Sequence, residues 1–373
     1  MSDVKQKPLP AACVELGEAE VFERIRHCKD QFGHRLVILG HHYQTDAVLQ
    51  FADFVGDSLK LSQQAAEQTQ AEFVVFCGVH FMAESADILT RPDVKVILPH
   101  LEAGCGMADM ATLEQVERAW PFLTEAAGDV TIIPVTYVNS AAEIKAFCGR
   151  HGGACCTSSN APVVIDWALS QGDKILFLPD QHLGRNTLYQ MGNPLDSMVT
   201  YAPDQPNGGL TAKQVAEAKG ILWDGFCYVH MVFSEADCQR IRQSDPACRI
   251  LVHPECRWEV FDEADLAGST EFIIQAIEQA PDGSRWAIGT ETHLVDRLAR
   301  RYAHRLDVRN LAPDRSDCVT MGLIDPKHLL WVLDRLVAGD LVNTIVVGEP
   351  TRTEATQALE RMLALKPIQP VKG

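Results

Sequence analysis

Val37-Ile38-Leu39-Gly40-His41-His42-Tyr43 reads as a buried strand that runs into ring side chains, and the same pattern occurs twice more in the chain. Its counterparts are Ile132-Ile133-Pro134-Val135 leading to Tyr137-Val138-Asn139, and Ile250-Leu251-Val252 leading to His253-Pro254-Glu255. A helical stretch follows each, and then a small hydroxyl-bearing run: Gly56-Asp57-Ser58, Thr157-Ser158-Ser159 and Gly268-Ser269-Thr270. A second apolar run comes next, as Val74-Val75-Phe76, Ile175-Leu176-Phe177 and Trp286-Ala287-Ile288. Each pass then closes on a cysteine: Cys105, Cys227 and Cys318. Short apolar runs alternating with amphipathic stretches are the pattern of strands and helices that build parallel sheets. The expected fold class is therefore α/β, with three similar α/β/α domains, small parallel sheets, a pseudo-threefold axis and the active site at its centre. The expected boundaries are a lead-in over 1–24, a first domain over 25–112 completed by 338–373, a second over 113–225 and a third over 226–337.

Finer signals fill in the repeats. Val48, Phe51, Ala52 and Val55 recur at helical spacing, which predicts a helix with Asp46 as its N-cap. Ser140-Ala141-Ala142-Glu143 reads as a capping box. The third strand of each unit is expected at Val96-Ile97-Leu98, at Ile221-Leu222-Trp223 and around Val308. Residues 190–219 are rich in Pro, Gly and Asn, have no counterpart in the other repeats, and read as a long surface loop or lid. The helix-forming stretch from Ala355 to Leu365 is expected to return to the first domain.

Composition narrows the function. The 373 residues exceed one ordinary core and suit two or three domains. No run approaches the roughly 18 apolar residues of a membrane span, and the opening Met1-Ser2-Asp3-Val4-Lys5 has no apolar signal core. A soluble cytoplasmic protein is expected, and twelve cysteines then imply a reducing compartment, with thiols serving as core residues, metal ligands or redox groups. A net charge of -17 argues against nucleic acid, because a polyanion needs a basic stripe. The one dense basic run, Arg297-Leu298-Ala299-Arg300-Arg301, has the spacing of a solvated helix face. A small anion remains possible, since it responds to local donors. Walker-type and dinucleotide-type glycine loops are missing, which disfavours a nucleotide-cofactor enzyme.

In parallel α/β units, ligands bind beyond the carboxyl ends of strands, where helix N-termini favour anions. His41, Tyr43, Tyr137, Asn139, His253 and Glu255 all stand at such ends, with Ser58, Ser158 and Thr270 one helix later. Together they would make a cage for a small polyanion. If three repeats surround an axis, Cys105, Cys227 and Cys318 meet as a metal site with three thiolates and one vacancy. The chain has no Cys-x-x-Cys, so it lacks the local spacing of a zinc ribbon or ferredoxin. Cys77 and Cys256 adjoin apolar runs and read as packing, while Cys148, Cys155 and Cys156 cluster without repeat equivalents. His34, His151 and His304 read as surface residues.

Eight motifs in order make the chain similar to quinolinate synthase, the iron-sulfur enzyme family of bacterial de novo NAD synthesis. They are Gly40-His41-His42-Tyr43-Gln44, Gly56-Asp57-Ser58-Leu59, Gly78 to Ser85, Tyr137-Val138-Asn139-Ser140, Pro179 to Arg185, Cys227-Tyr228-Val229-His230, His253-Pro254-Glu255-Cys256 and Gly268-Ser269-Thr270. The resemblance implies one [4Fe-4S] cluster per chain, held by Cys105, Cys227 and Cys318, with its fourth iron open to substrate. It also implies condensation of iminosuccinate with dihydroxyacetone phosphate to give quinolinate, phosphate and two waters. A substrate pocket of His41, Ser58, Tyr137, Val138, Asn139, Ser158, His253, Pro254, Glu255 and Thr270 follows from it, as does transient contact with L-aspartate oxidase. An iron with a vacant position acts as a Lewis acid. Glu255 is the expected general base, with Tyr43, His41 and His253 as proton carriers or oxyanion donors. The competing readings are an iron-sulfur carrier or scaffold, and a zinc hydrolase with three thiolate ligands.

Overall fold

The computed structural model describes residues 5–365 and divides into two compact units, one holding residues up to 105 with 317–348, the other 106–316 with 349 onward. Both are α/β, and between them they contain three small, mainly parallel sheets flanked by helices, in line with the expected repeated architecture. Among the described residues no helix is long and apolar enough to cross a membrane.

The first unit contains one sheet. Its strands are β1 (Leu36–His41), β2 (Phe54–Gly56), β3 (Phe73–Cys77) and β4 (Lys95–Ile97), in the order β4-β3-β1-β2, with Thr344–Ile345 pairing antiparallel beyond β4. The second unit contains two. One comprises β5 (Ile132–Tyr137), β6 (Ala154–Cys156), β7 (Lys174–Leu178), β8 (Met198–Tyr201) and β9 (Gly220–Trp223), ordered β6-β5-β7-β9-β8. The other comprises β10 (Arg249–Val252), β11 (Leu266–Ala267), β12 (Arg285–Gly289) and β13 (Asp307–Asn310), ordered β11-β10-β12-β13. In all three the first strand lies between the second and the third. β1 and β5 are buried at every residue, as expected of strands covered by helices on both faces.

The short second strands, β2, β6 and β11, are held to their neighbours by one recurring device. Asp53, just before β2, takes the Ile38 amide on its carboxylate at 2.8 Å and returns its own amide to the Ile38 carbonyl at 2.7 Å. Asp265, just before β11, does the same to Ile250, at 2.6 and 2.9 Å. In the middle sheet the matching pair, by register, is Pro134 and Gly153. Proline has no N–H to satisfy, so no carboxylate is needed there. The chains instead approach so closely that a Cβ on Gly153 would lie 1.8 Å from the Pro134 carbonyl oxygen.

Several expectations change. The helix predicted from Val48 to Val55 is a single turn, Asp46–Leu49, with Thr45 rather than Asp46 at its cap position; Asp53 pulls the chain back onto β1, and Val55 lies in β2. Ser140 caps nothing: its hydroxyl bonds the Tyr137 carbonyl at 2.8 Å, and the helix Ala142–Arg150 starts from Ala141. Residues 190–219 are not one long loop. Met198-Val199-Thr200-Tyr201 forms β8 at a sheet edge, and Thr211 caps a helix over Ala212–Glu217 in a reciprocal capping box.

The unit boundaries also differ. The helix Glu18–Phe32 runs across the expected break at 24 and packs on the helix Pro326–Val337, tied to it by Arg24 and Asp334 at 2.7 Å. Residues 317–337, Cys318 among them, therefore belong to the first unit. The C-terminal helix Thr351–Ala364 docks in the second unit, on the helix Ala142–Arg150 and β6. Arg150 pairs there with Glu354 at 2.7 Å, and Gly149 lets the backbones meet where a Cβ would come 1.9 Å from the Glu354 carbonyl oxygen.

Candidate active site

The carboxyl end of each first strand carries a tight turn. After β1 the Tyr43 amide donates to His41 Nδ1 at 3.2 Å, and the Tyr43 ring meets the His41 ring edge-on at 4.8 Å. With Nδ1 accepting, the neutral ring carries its proton on Nε2, which is then a donor. Gln44, fully buried, donates to the Met321 carbonyl at 3.0 Å, tying this turn to the one that begins at Cys318, whose carbonyl takes the Gly322 amide at 3.0 Å. The first unit therefore brings His41, Tyr43 and the Cys318 turn together. Ser58 opens the helix Ser58–Glu67, but Asp57 is its cap.

In the second unit the turn after β10 repeats the device: the Glu255 amide donates to His253 Nδ1 at 3.3 Å. The helix Gln181–Gln190 supports this turn. Its Asn186, fully buried, donates both amide hydrogens, to the Pro254 carbonyl at 2.9 Å and the Cys256 carbonyl at 2.8 Å. Asp180 caps that helix through the Leu183 amide at 2.7 Å. The turn after β9, which carries Cys227, lies alongside, since Gly225 accepts the Gln181 amide at 2.9 Å and has no room for a Cβ against the Pro179 carbonyl oxygen.

Glu255 is the centre of this group. Its Oε2 is 2.8 Å from His230 Nδ1 and its Oε1 is 3.9 Å from His253 Nδ1, and all three side chains are buried. The two imidazoles stack at 4.5 Å with 16° between planes. Burial works to raise the Glu255 carboxyl, but the His253 and His230 charges, with the His230 and Tyr137 side chains in bonding reach, bring it down to about 2. Burial lowers His253 to about 3 against the pull of Glu255, so its ring is neutral at physiological pH. Asp180 moves the other way. Burial and the Glu255 charge push its carboxyl well up, opposite to the shift of Glu255.

Tyr137 thus joins Glu255, as the repeat pattern implied. Val138 is buried and its amide holds the Cys156 carbonyl at 2.7 Å; Asn139 and Ser158 are half-buried in turns. Thr270 is buried at the first position of the helix Thr270–Glu278, whose cap is Ser269. His230, Asp180 and Asn186 are absent from the residues assigned from sequence. His230 had a signal, three residues past Cys227, but the fully buried Asp180 and Asn186 act from beneath the turns, which no spacing reveals. His34 and His304 are exposed as expected, whereas His151 is half-buried between Trp120 and Phe147, with rings 4.9 and 4.4 Å away.

The cysteines divide cleanly. Nine of the twelve are buried, and the three with partial exposure are Cys105, Cys227 and Cys318. Cys238, Cys248 and Cys256 belong to the core around β10, and burial pushes the Cys77 and Cys155 thiols up to about 12. Cys148 and Cys156 are likewise raised by burial, so that cluster is packing and is poorly suited to bind a metal.

Comparison with known proteins gives a consistent result. A family model described as quinolinate synthetase A protein matches residues 23–364. The quinolinate synthase of Streptomyces coelicolor is 54% identical over 351 residues, covering 93% of this chain and 89% of that protein. That of a Geobacillus species (strain WCH70) is 52% identical over 358 residues, with 96% of each covered. The Corynebacterium glutamicum protein of the same name is 49% identical over 367 residues, or 98% and 93% of the two chains.

Proposed function

The chain belongs to the quinolinate synthetase A protein family, a family of NAD-biosynthetic enzymes, and on that premise we propose that it condenses iminosuccinate with dihydroxyacetone phosphate at a [4Fe-4S] cluster held by Cys105, Cys227 and Cys318. Quinolinate, phosphate and two waters are the products. The observation that best supports the ligand set is the division of the cysteines: the three at equivalent repeat positions are the three not buried. Soft thiolates are the donors that iron-sulfur clusters take, and buried thiols raised toward 12 are poor ones. When bound, such a cluster supplies a Lewis-acidic iron to a substrate oxygen or nitrogen.

The chain's own residues supply the rest. His41 and His253, each with Nδ1 accepting a backbone amide, present Nε2–H donors to oxygens that gain charge during condensation. Glu255 is ionised and is the proton acceptor, with Tyr43 as a proton carrier. A carboxyl held near 2 is a weak base before substrate arrives, and an incoming dicarboxylate raises its proton affinity by like-charge repulsion. Ser58 and Thr270 occupy the first position of their helices, where hydroxyls and helix N-termini suit carboxylate or phosphate oxygens. Ser158 and Asn139 complete the proposed pocket with Tyr137, Val138 and Pro254.

Iron analysis of single variants tests the reading. Cys105→Ala, Cys227→Ala and Cys318→Ala should each lose the roughly four irons of a cubane cluster, while Cys77→Ala and Cys155→Ala keep them. Full iron retention in Cys318→Ala overturns the ligand set, and a colourless protein with no turnover of the two substrates overturns the activity.

A further inference from the structure

The Cys227 sulfur, a ring nitrogen of His230 and a carboxylate oxygen of Glu255 lie within 4.8 Å of one another, inside a single compact unit. His230 and Glu255 are almost wholly buried, and Cys227 is reached by solvent. The tightest pair in the group is close without being aligned. His230 Nδ1 is 2.8 Å from Glu255 Oε2, yet Nδ1 has no hydrogen-bond partner among the described residues. The other ring nitrogen, Nε2, is 3.3 Å from the Thr290 hydroxyl. Protonated on Nδ1 the ring pairs with Glu255; in the tautomer that donates from Nε2 to Thr290, Nδ1 instead carries a bare lone pair beside a carboxylate oxygen, and that is the tautomer a cation selects. Two lone-pair atoms directed at a common point are costly when buried, unless a cation stands at that point.

A donor set of one thiolate, one imidazole and one carboxylate suits zinc, which takes four ligands in this range and commonly leaves the fourth to water. We propose that the chain binds one zinc ion at Cys227, His230 and Glu255 before any cluster is installed. Binding replaces the Cys227 thiol proton, which leaves to solvent, and water completes the coordination. Cys227 also belongs to the proposed cluster ligand set, so zinc and cluster exclude each other. That consequence rests on the cluster reading, whereas the zinc site does not.

The test uses the full-length chain, freed of iron and kept reduced, and titrates it with Zn(II) against a chromophoric chelator and separately with Co(II). The expected result is one zinc per chain and a cobalt form whose near-ultraviolet charge-transfer intensity is that of a single thiolate. His230→Gln should weaken zinc binding by at least ~100-fold, since losing a mere supporting partner already costs roughly 10–100-fold. Cys105→Ala and Cys318→Ala should bind zinc as the parent does, although both lose iron if the cluster reading is right. The two readings therefore fail separately. No bound zinc, unchanged affinity in His230→Gln, or loss of zinc in Cys105→Ala overturns the site. A cobalt spectrum of three thiolates also overturns it, and that measurement needs no variant to fold.

Discussion

The turn after β1 and the turn after β10 share one backbone device and differ in what stands behind it. Each directs a backbone amide onto the Nδ1 of a histidine two residues earlier, at 3.2 and 3.3 Å, and so leaves Nε2 as the donor. The first turn ends in half-buried Tyr43, against the edge of His41. The second ends in buried, ionised Glu255. Gln44 ties the first turn to the Met321 carbonyl at 3.0 Å, Asn186 clamps the second through the Pro254 and Cys256 carbonyls, and Asp180 and His230 stand near the carboxylate. A repeated scaffold thus fixes the direction of a donor. One divergent residue and its buried support decide which copy carries charge.

If that division is right, the largest effect belongs to Glu255. Glu255→Gln keeps shape but cannot take a proton, so turnover should fall by at least ~100-fold with the iron content unchanged. Tyr43→Phe should cost less, on the order of tenfold. Equal losses in steady-state kinetics would break the comparison, since the two turns would then share the proton work. The supports should rank the same way in denaturant unfolding. Asn186→Ala strands two buried carbonyls and should cost roughly 2–4 kcal/mol, against about 1 kcal/mol for Gln44→Ala. The reverse order would mean that the second turn holds itself.

The sequence made the repeat legible because buried parallel strands are continuous apolar runs: β1, β3, β5, β7, β10 and β12 all coincide with the runs read from it. It hid the edge strands β2, β6 and β11, which have two or three residues each and so no period to detect. What fastens them, Asp53 and Asp265 on one side and Pro134 with Gly153 on the other, is a pairing across sheets that becomes visible only once register is known. The strand-end positions of His41, Tyr137 and His253 were legible for the same reason as the strands. Asp180 and Asn186 were not, because a buried polar residue beneath a turn looks in sequence like any helix-start residue. The docking of the last helix was misjudged, since an amphipathic helix does not specify which sheet it covers.

Thr270 sharpens the comparison on the ligand side. Ser269 takes the Phe272 amide at 3.3 Å and is the cap, so the cap bond of this helix does not come from Thr270. Thr270→Val should weaken quinolinate binding by about 1.5–3 kcal/mol, roughly ten- to a hundred-fold, with an unchanged melting temperature. Ser269→Ala should do the opposite, losing about 1 kcal/mol of stability and little affinity. A melting temperature that drops in Thr270→Val at constant affinity would remove Thr270 from the site.

A pH slope tests whether the ground around the second turn is as closed to water as the distances suggest. His182, in the helix that carries Asn186, is lowered from 6.5 to about 4, first by burial and then by the charges of Arg185 and Arg257. The unfolded chain binds a proton on this ring as pH falls through 6.5, but the folded protein does not until about 4. Between those values the unfolded state holds the extra proton, so stability falls as pH falls, by at most ~1.4 kcal/mol per pH unit. The ring keeps some exposure, and solvent screening reduces that figure. Above 6.5 the ring is neutral in both states and adds no slope. His182→Gln should therefore flatten the urea-midpoint profile between 6.5 and 4 and leave it unaltered at pH 8. An unchanged acid slope in the variant would mean that His182 titrates normally, and that water reaches the helix beneath the turn.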